Sequence, residues 1–247
     1  MKSISSNMFC CVMMGVMLTA ATTEAVAQKN ALSAATMIIE YNSSAEDIGV
    51  QFFLDSEGWQ QVEIFDPRGQ VIFHADTRGR LTQQGGGTEL FLESVEPPIA
   101  ALSFATFFNR FPEGIYRFQG RDRDGNLLKG QAKFTHAIPA GPEILLPTPA
   151  PGAECAEDVP ASGAVIAWNP VTESISGDPL KIARYEVIVE NEEDGLNFDV
   201  KFPAETGTMW SLPPELLKRG TQYIGEVLAV ESGGNQTISE FCFTTAP

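Results

Sequence analysis

Apolar and polar positions alternate with a period of two along most of this chain. The runs are short and are separated by glycine, proline, aspartate and asparagine. A period of two places successive side chains on opposite faces of a strand, so the pattern predicts a protein built of antiparallel β-hairpins. In the first half, residues 37–41 and 49–54 read as strands, followed by a turn at Asp55-Ser56-Glu57-Gly58. Residues 59–65 follow, with Val62 and Ile64 facing away from Gln61 and Glu63, and Asp66-Pro67-Arg68-Gly69 turns the chain into a partner strand over 70–74. A second hairpin runs through 114–120, turns at Asp124-Gly125 and returns through 130–135. The second half repeats the alternation at 163–170, 184–190, 196–202, 224–230 and 237–244, with turns at Glu192-Glu193-Asp194-Gly195 and Gly233-Gly234-Asn235. Tyr185, Val187 and Val189 share one face of the 184–190 strand.

Two stretches break the alternation. Residues 98–111 are apolar with few breakers, and Phe104, Phe107, Phe108 and Phe111 recur at helical spacing. This predicts a short helical insertion plugging the sandwich edge, its aromatic stripe packed on a core rather than lining a ligand groove. Residues 138–151 hold Pro139, Pro142, Pro147, Pro149 and Pro151, which remove backbone donors and favour extended chain, so they predict a semi-rigid spacer. The expected fold class is therefore all-β: two β-sandwich domains, 28–137 and 152–247, joined by a Pro-rich linker at 138–151.

The first 27 residues read as a signal peptide. Lys2 is followed by an uncharged apolar run from Met8 to Ala21, and Ala25-Val26-Ala27 fits the small-x-small rule for cleavage after Ala27. The run is too short to span a bilayer, which needs about 20 residues. Cys10 and Cys11 lie inside it without a lipoprotein-like lead-in, leaving Cys155 and Cys242 as an even pair in an oxidising compartment, where a disulfide is expected. The predicted location is exported, periplasmic or extracellular.

Net charge is −16. Such a surface repels phosphate backbones and anionic lipid, which argues against nucleic acid or a membrane surface as partner and permits divalent cations or basic partners. The acidity is uneven: from Pro151 onward 16 acidic residues face 5 basic ones, whereas residues 28–150 carry 15 and 10.

Catalytic motifs are sparse. No Gly-x-Ser-x-Gly elbow, His-Glu-x-x-His, phosphate loop or dinucleotide fingerprint occurs, and His74 and His136 stand singly at strand ends, where surface or capping duty is the ordinary reading. No cofactor is implied. Two acidic groups offer oxygen donors for calcium. Asp122, Asp124 and Asn126 alternate, but they lack the later bidentate glutamate of a helix-loop-helix site, and a hairpin turn explains them as well. Glu40, Asn42, Glu46 and Asp47 form the second group.

Residues 152–247 resemble a fibronectin type III domain. The likeness rests on the Trp168 strand, the Tyr185 strand, and Leu217-x-x-Gly-Thr-x-Tyr223 ahead of Val227-x-Ala-Val, in that order. It implies that Tyr223 forms the tyrosine corner, its hydroxyl tying the preceding loop to the sandwich. Arg219 stands where that family usually has proline, and the Cys155–Cys242 pair is an addition to its pattern. The hairpins of the first half resemble immunoglobulin-like sandwiches of bacterial surface proteins. Together these features predict an exported non-enzymatic protein that binds a protein or glycan, or is structural, in the cell envelope. The alternative is a carbohydrate-active enzyme with carboxylates in the N-terminal domain.

Overall fold

The computed structural model describes residues 31–247; the expected signal peptide lies outside them. The first half contributes β1 (Ala34–Asn42), β2 (Asp47–Trp59), β3 (Gln61–Phe65), β4 (Val71–Asp76), the short helix α1 (Arg80–Gln84), β5 (Gly87–Glu93), helix α2 (Phe104–Arg110), β6 (Gly114–Arg121) and β7 (Leu127–Phe134). The second contributes β8 (Ile144–Leu146), β9 (Ala156–Val159), β10 (Val165–Trp168), β11 (Ile182–Asn191) and β12 (Leu196–Pro203). It is completed by β13 (Met209–Ser211), β14 (Gln222–Glu231) and β15 (Gln236–Thr245). The chain is all-β apart from these short helices.

Alternation places the apolar faces. Met37 and Ile39 of β1, Val50, Phe52 and Leu54 of β2, Val62 and Ile64 of β3, and Tyr116 and Phe118 of β6 meet in one core. Trp168, Tyr185, Val187, Val189, Tyr223, Val227 and Phe243 anchor a second. The strand order repeats. In the first half β5-β2-β1 faces β4-β3-β6-β7; in the second β13-β10-β8 faces β12-β11-β14-β15. Each core thus lies between a three-strand and a four-strand layer, the geometry of packed antiparallel sheets.

Those layers are not independent. β1 pairs in parallel with β15, Glu40 beside Gln236, Tyr41 beside Thr237 and Asn42 beside Ile238. One eight-stranded sheet therefore runs β12-β11-β14-β15-β1-β2-β5, with β9 also against β15. Side chains extend the seam. Asn235, 2% exposed, accepts from the Ile39 N–H at 2.9 Å and donates to the Thr135 and Ala137 carbonyls at 3.0 and 3.2 Å. Ser43 donates to the Ile238 carbonyl at 2.6 Å.

Three local expectations are corrected. The spacer expected at 138–151 is built into both cores. Ile138 is fully buried in the first core, and Ile144–Leu146 pairs with β10. The prolines lack N–H groups but keep carbonyls, and that of Pro139 accepts from Thr237 Oγ1 at 2.6 Å. Gly141 is wedged so closely that a Cβ would come within 2.4 Å of Ser43 Oγ and 3.0 Å of Ser239 Oγ. The turn expected at residues 55–58 is an irregularity within β2, where the pairing with β5 shifts register between Asp55 and Trp59. Such a bulge lets one strand bend out of one sheet toward the other. The helix expected across 98–111 is confined to Phe104–Arg110. Pro98 bridges Asp47 and its carbonyl closes a turn on Leu102, and Ser103 caps the helix by accepting from the Thr106 N–H at 3.3 Å. Its Phe107 is 1% exposed in the first core, with Phe104, Phe108 and Phe111 packed around it.

Candidate functional site

On the face of β1 opposite the first core, Glu40 would ordinarily stand in water. Because β15 runs alongside, it is 7% exposed instead, and its Oε2 accepts from the Gln236 side-chain amide. Glu40 lies opposite Gly49 on β2, and Glu93 of β5 lies opposite Gln51. Glu96, just past β5, lies across Gly49, whose missing side chain is what admits it: a Cβ there would come within 2.8 Å of Glu96 Cγ and Oε1. Glu40, Glu93 and Glu96 each bring a carboxylate oxygen to within 4.8 Å of the others. At an effective dielectric near 20, two such charges repel by about 3 kcal/mol.

No ion pair relieves this cluster among the described residues. Burial pushes the Glu40 carboxyl up to about 7; the Gln236 amide opposes the rise, and Glu93 and Glu96 add to it. Burial also pushes Glu96 up to about 7, with the charges of Glu93 and Asp47 contributing. Asp47 is raised by burial and by Glu240. Glu96 Oε1 and Asp47 Oδ1 are wholly buried and have no hydrogen-bond partner. The acidic strip continues along the same sheet face, where Glu226 and Glu240 stand directly opposite on β14 and β15. Glu226 is raised by burial and then by Glu240, Glu190 and Glu186.

Of the second acidic group read from the sequence, Glu40 and Asp47 belong here. Asn42 does not: its Oδ1 accepts from the Ser44 and Ala45 N–H groups, closing the β1–β2 turn, and its amide donates to Glu240 at 2.6 Å. Glu46 is exposed in the same turn. Glu93, Glu96 and Gln236 escaped the sequence reading, since they lie far from Glu40 in the chain. Their only local sign is a pair of glutamates ending an apolar strand.

The Asp122, Asp124 and Asn126 group forms the β6–β7 turn. Asp122 Oδ1 accepts from the Asp124 and Asn126 N–H groups at 2.9 and 2.8 Å, and Oδ2 from Asn126 Nδ2 at 2.8 Å. These bonds hold the Asp122 carboxyl below its ordinary value, the Asn126 side chain foremost. The two histidines lie apart. His74 is flanked by Glu63 and Asp76 at 3.4 and 3.2 Å on an exposed edge. His136 stacks on Phe108 with ring centroids 4.1 Å apart.

Cys155 and Cys242 are joined in a disulfide. Trp168 and Tyr223 are 1% exposed and Tyr185 2%, with Leu217 at the rim of the same core. The Tyr223 hydroxyl accepts from the Lys218 N–H at 2.8 Å, and that of Tyr185 from the Val171 N–H at 2.9 Å. The equivalent strand of the first half carries Tyr116, fully buried, which donates to the Pro112 carbonyl at 3.1 Å. Burial holds its hydroxyl up at about 12. The sequence reading missed this second tyrosine tie, although Gly114-Ile115-Tyr116 opens its strand much as Gln222-Tyr223 opens β14.

No protein-family model matches the chain, and no curated protein matches it. Among solved structures, the chain is similar to the FN1–FN3 domains of chicken CNTN1, at 12% identity over 89% of this chain and 68% of that one, with a TM-score of 0.33. A tetra-tandem repeat from the extending region of a large adhesion protein aligns at 14% identity over 86% of this chain and 49% of that one, TM-score 0.29. A bacterial ice-binding adhesin described for host cell surface retention aligns at 13% identity over 86% and 64%, TM-score 0.28. This chain thus spans about half to two thirds of those structures.

Proposed function

We propose that this chain is an exported, non-enzymatic structural or binding module of the cell envelope, made of an immunoglobulin-like sandwich over about 28–137 and a fibronectin type III-like sandwich over about 152–247. The observation that carries the reading is the parallel β1–β15 pairing, which merges the two halves into one continuous sheet. A rigid body of this kind suits holding or presenting a surface at a distance, because no flexible joint dissipates its orientation. The disulfide supports an extracytoplasmic scaffold.

Expression behind its own leader tests export. Recovery of a chain beginning at Gln28 with the disulfide formed supports it; recovery only of the uncleaved chain with free thiols in the cytoplasm overturns it. Small-angle scattering tests the rigid body: one fixed elongated particle is expected, and a distribution of interdomain angles would refute it. Hydrolysis of any polysaccharide substrate that is lost in Glu93→Gln would reinstate the enzyme reading.

A further inference from the structure

We propose that the outward face of the β6–β7 hairpin docks on the outward face of β5 and β2 in a second copy of this chain, so that copies stack front to back. The two faces lie on opposite sides of the first core, and their charges are segregated. β6 and β7 carry Arg117, Arg121, Lys129 and Lys133 and no acid, whereas β1, β2 and β5 carry no lysine or arginine. Register places all four cations on one surface, with Ile115 opposite Lys133, Arg117 opposite Gln131, Gln119 opposite Lys129 and Arg121 opposite Leu127. All four are exposed, and none has an ion-pair partner among the described residues. On the other side Phe91 stands between Glu89 and Glu93 on β5, all three exposed. Asp55 and Phe53 of β2 lie opposite Glu89 and Phe91.

The faces match in spacing as well as in sign. Glu89 and Glu93 are four residues apart on one strand, and so are Lys129 and Lys133. At about 3.3 Å per residue, both pairs are set roughly 13 Å apart. Phe91 is 58% exposed at the centre of its face. The opposing face offers a hollow of about 280 Å³ lined by Arg117, Gln119, Lys129 and Gln131. A phenyl ring fits there, and the Arg117 guanidinium, already 5.5 Å from the Phe65 ring, gives it a cation to stack on. The net charge of −16 opposes association, but most of the excess acid lies beyond Pro151, in the half this contact does not use. With a Debye length of about 8 Å at physiological salt, that distant repulsion is screened while touching pairs are not. Two different faces make the contact heterologous, and each added copy leaves one face of each kind free, so it extends into open chains. This goes beyond the reading of the chain as a structural or binding module. It rests on the two faces alone, and its failure leaves the tests of export and rigidity standing.

The test is sedimentation velocity of the purified chain at rising concentration, up to about 1 mM, the weak end of specific affinity. Two buffers are compared, about 20 mM and about 500 mM sodium chloride, between which the Debye length falls from roughly 20 Å to about 4 Å. Association is expected in the first and an affinity at least tenfold lower in the second. Lys129→Glu/Lys133→Glu and Glu89→Lys/Glu93→Lys change exposed residues, so the fold is kept, checked by circular dichroism. Each double change alone is expected to weaken self-association at least tenfold. Their equimolar mixture is expected to restore it, because the intact acidic face of one meets the intact basic face of the other. A single species at every concentration in low salt overturns the proposal, as does association that survives either double change or is not restored by mixing. Retention of a monomeric chain on sulfated polysaccharide, lost in Lys129→Glu/Lys133→Glu, would assign the basic face to a polyanion and overturn it too.

Discussion

Replacing Asn235 with alanine tests the seam at its most buried polar point. The side chain is 2% exposed and reaches three backbone groups on two segments at once: the Ile39 N–H of β1, and the Thr135 and Ala137 carbonyls that follow β7. Alanine leaves the Ile39 N–H without a partner, where an unmatched buried donor costs about 1–3 kcal/mol. The two carbonyls lose a shared donor but can recruit water more readily, adding about 1 kcal/mol together. The expected loss is therefore about 3 kcal/mol, concentrated where the halves meet. Trp59 reports on the first core, and Trp168 and Trp210 on the second. Urea unfolding of Trp59→Phe and of the Trp168→Phe/Trp210→Phe pair thus reads the two halves separately. In the parent the two curves are expected to coincide. In the Asn235→Ala background they are expected to separate, because coupling and not either core has been weakened. A loss below about 0.5 kcal/mol, the size of an ordinary surface change, with curves still coincident, would refute the reasoning.

The remaining expectations concern charge, cross-link and the tyrosine ties. Glu40 and Glu96 have folded values raised from 4.5 to about 7, so their protonated forms favour the fold. In cation-free buffer, the stability they contribute is complete below about pH 4.5 and declines as pH rises through 7. Thermal melts from pH 4.5 to 8 in EDTA check this, and the double change Glu40→Gln/Glu96→Gln should flatten the decline. Opening the disulfide by Cys155→Ala/Cys242→Ala releases a loop of sequence separation 87, an expected loss of about 4–5 kcal/mol on chain entropy. Urea unfolding with and without reductant measures it, and no difference would contradict the cross-link. Tyr223→Phe leaves the Lys218 N–H without its 2.8 Å acceptor and is expected to cost about 1–3 kcal/mol, while Tyr116→Phe frees only a carbonyl and costs less. Equal losses in both would argue against that distinction.

Period-two alternation placed β1, β3, β6, β11, β12 and β14, and at β3 and β11 it told which side chains enter a core, because facing is a local property of the pleat. The Cys155–Cys242 pair was likewise legible, since only two cysteines follow the apolar leader. Alternation puts Glu40 on the outward face, where it stands, but does not show that β15 covers it from 196 residues away. The prolines at 139, 142 and 147 announced extended chain correctly but not its surroundings. A missing N–H does not prevent a carbonyl from accepting, so Pro139 became part of the seam rather than a spacer. Gly49 and Gly141 showed nothing in sequence of the close approaches that require them.

What the sequence determined by itself is thus most of the long strands, the inward faces of β3 and β11, most of the hairpin turns and the single cross-link. All follow from interactions between residues near one another in the chain, or from a count of cysteines. The tertiary structure alone decided that the strands around the two cores share a sheet, that Asn235 is its pin, and that Glu40, Glu93 and Glu96 converge. Those outcomes depend on which strand edge finds which partner. A strand edge presents the same backbone N–H and C=O groups whatever its side chains, so the choice of neighbour is made by the packed whole.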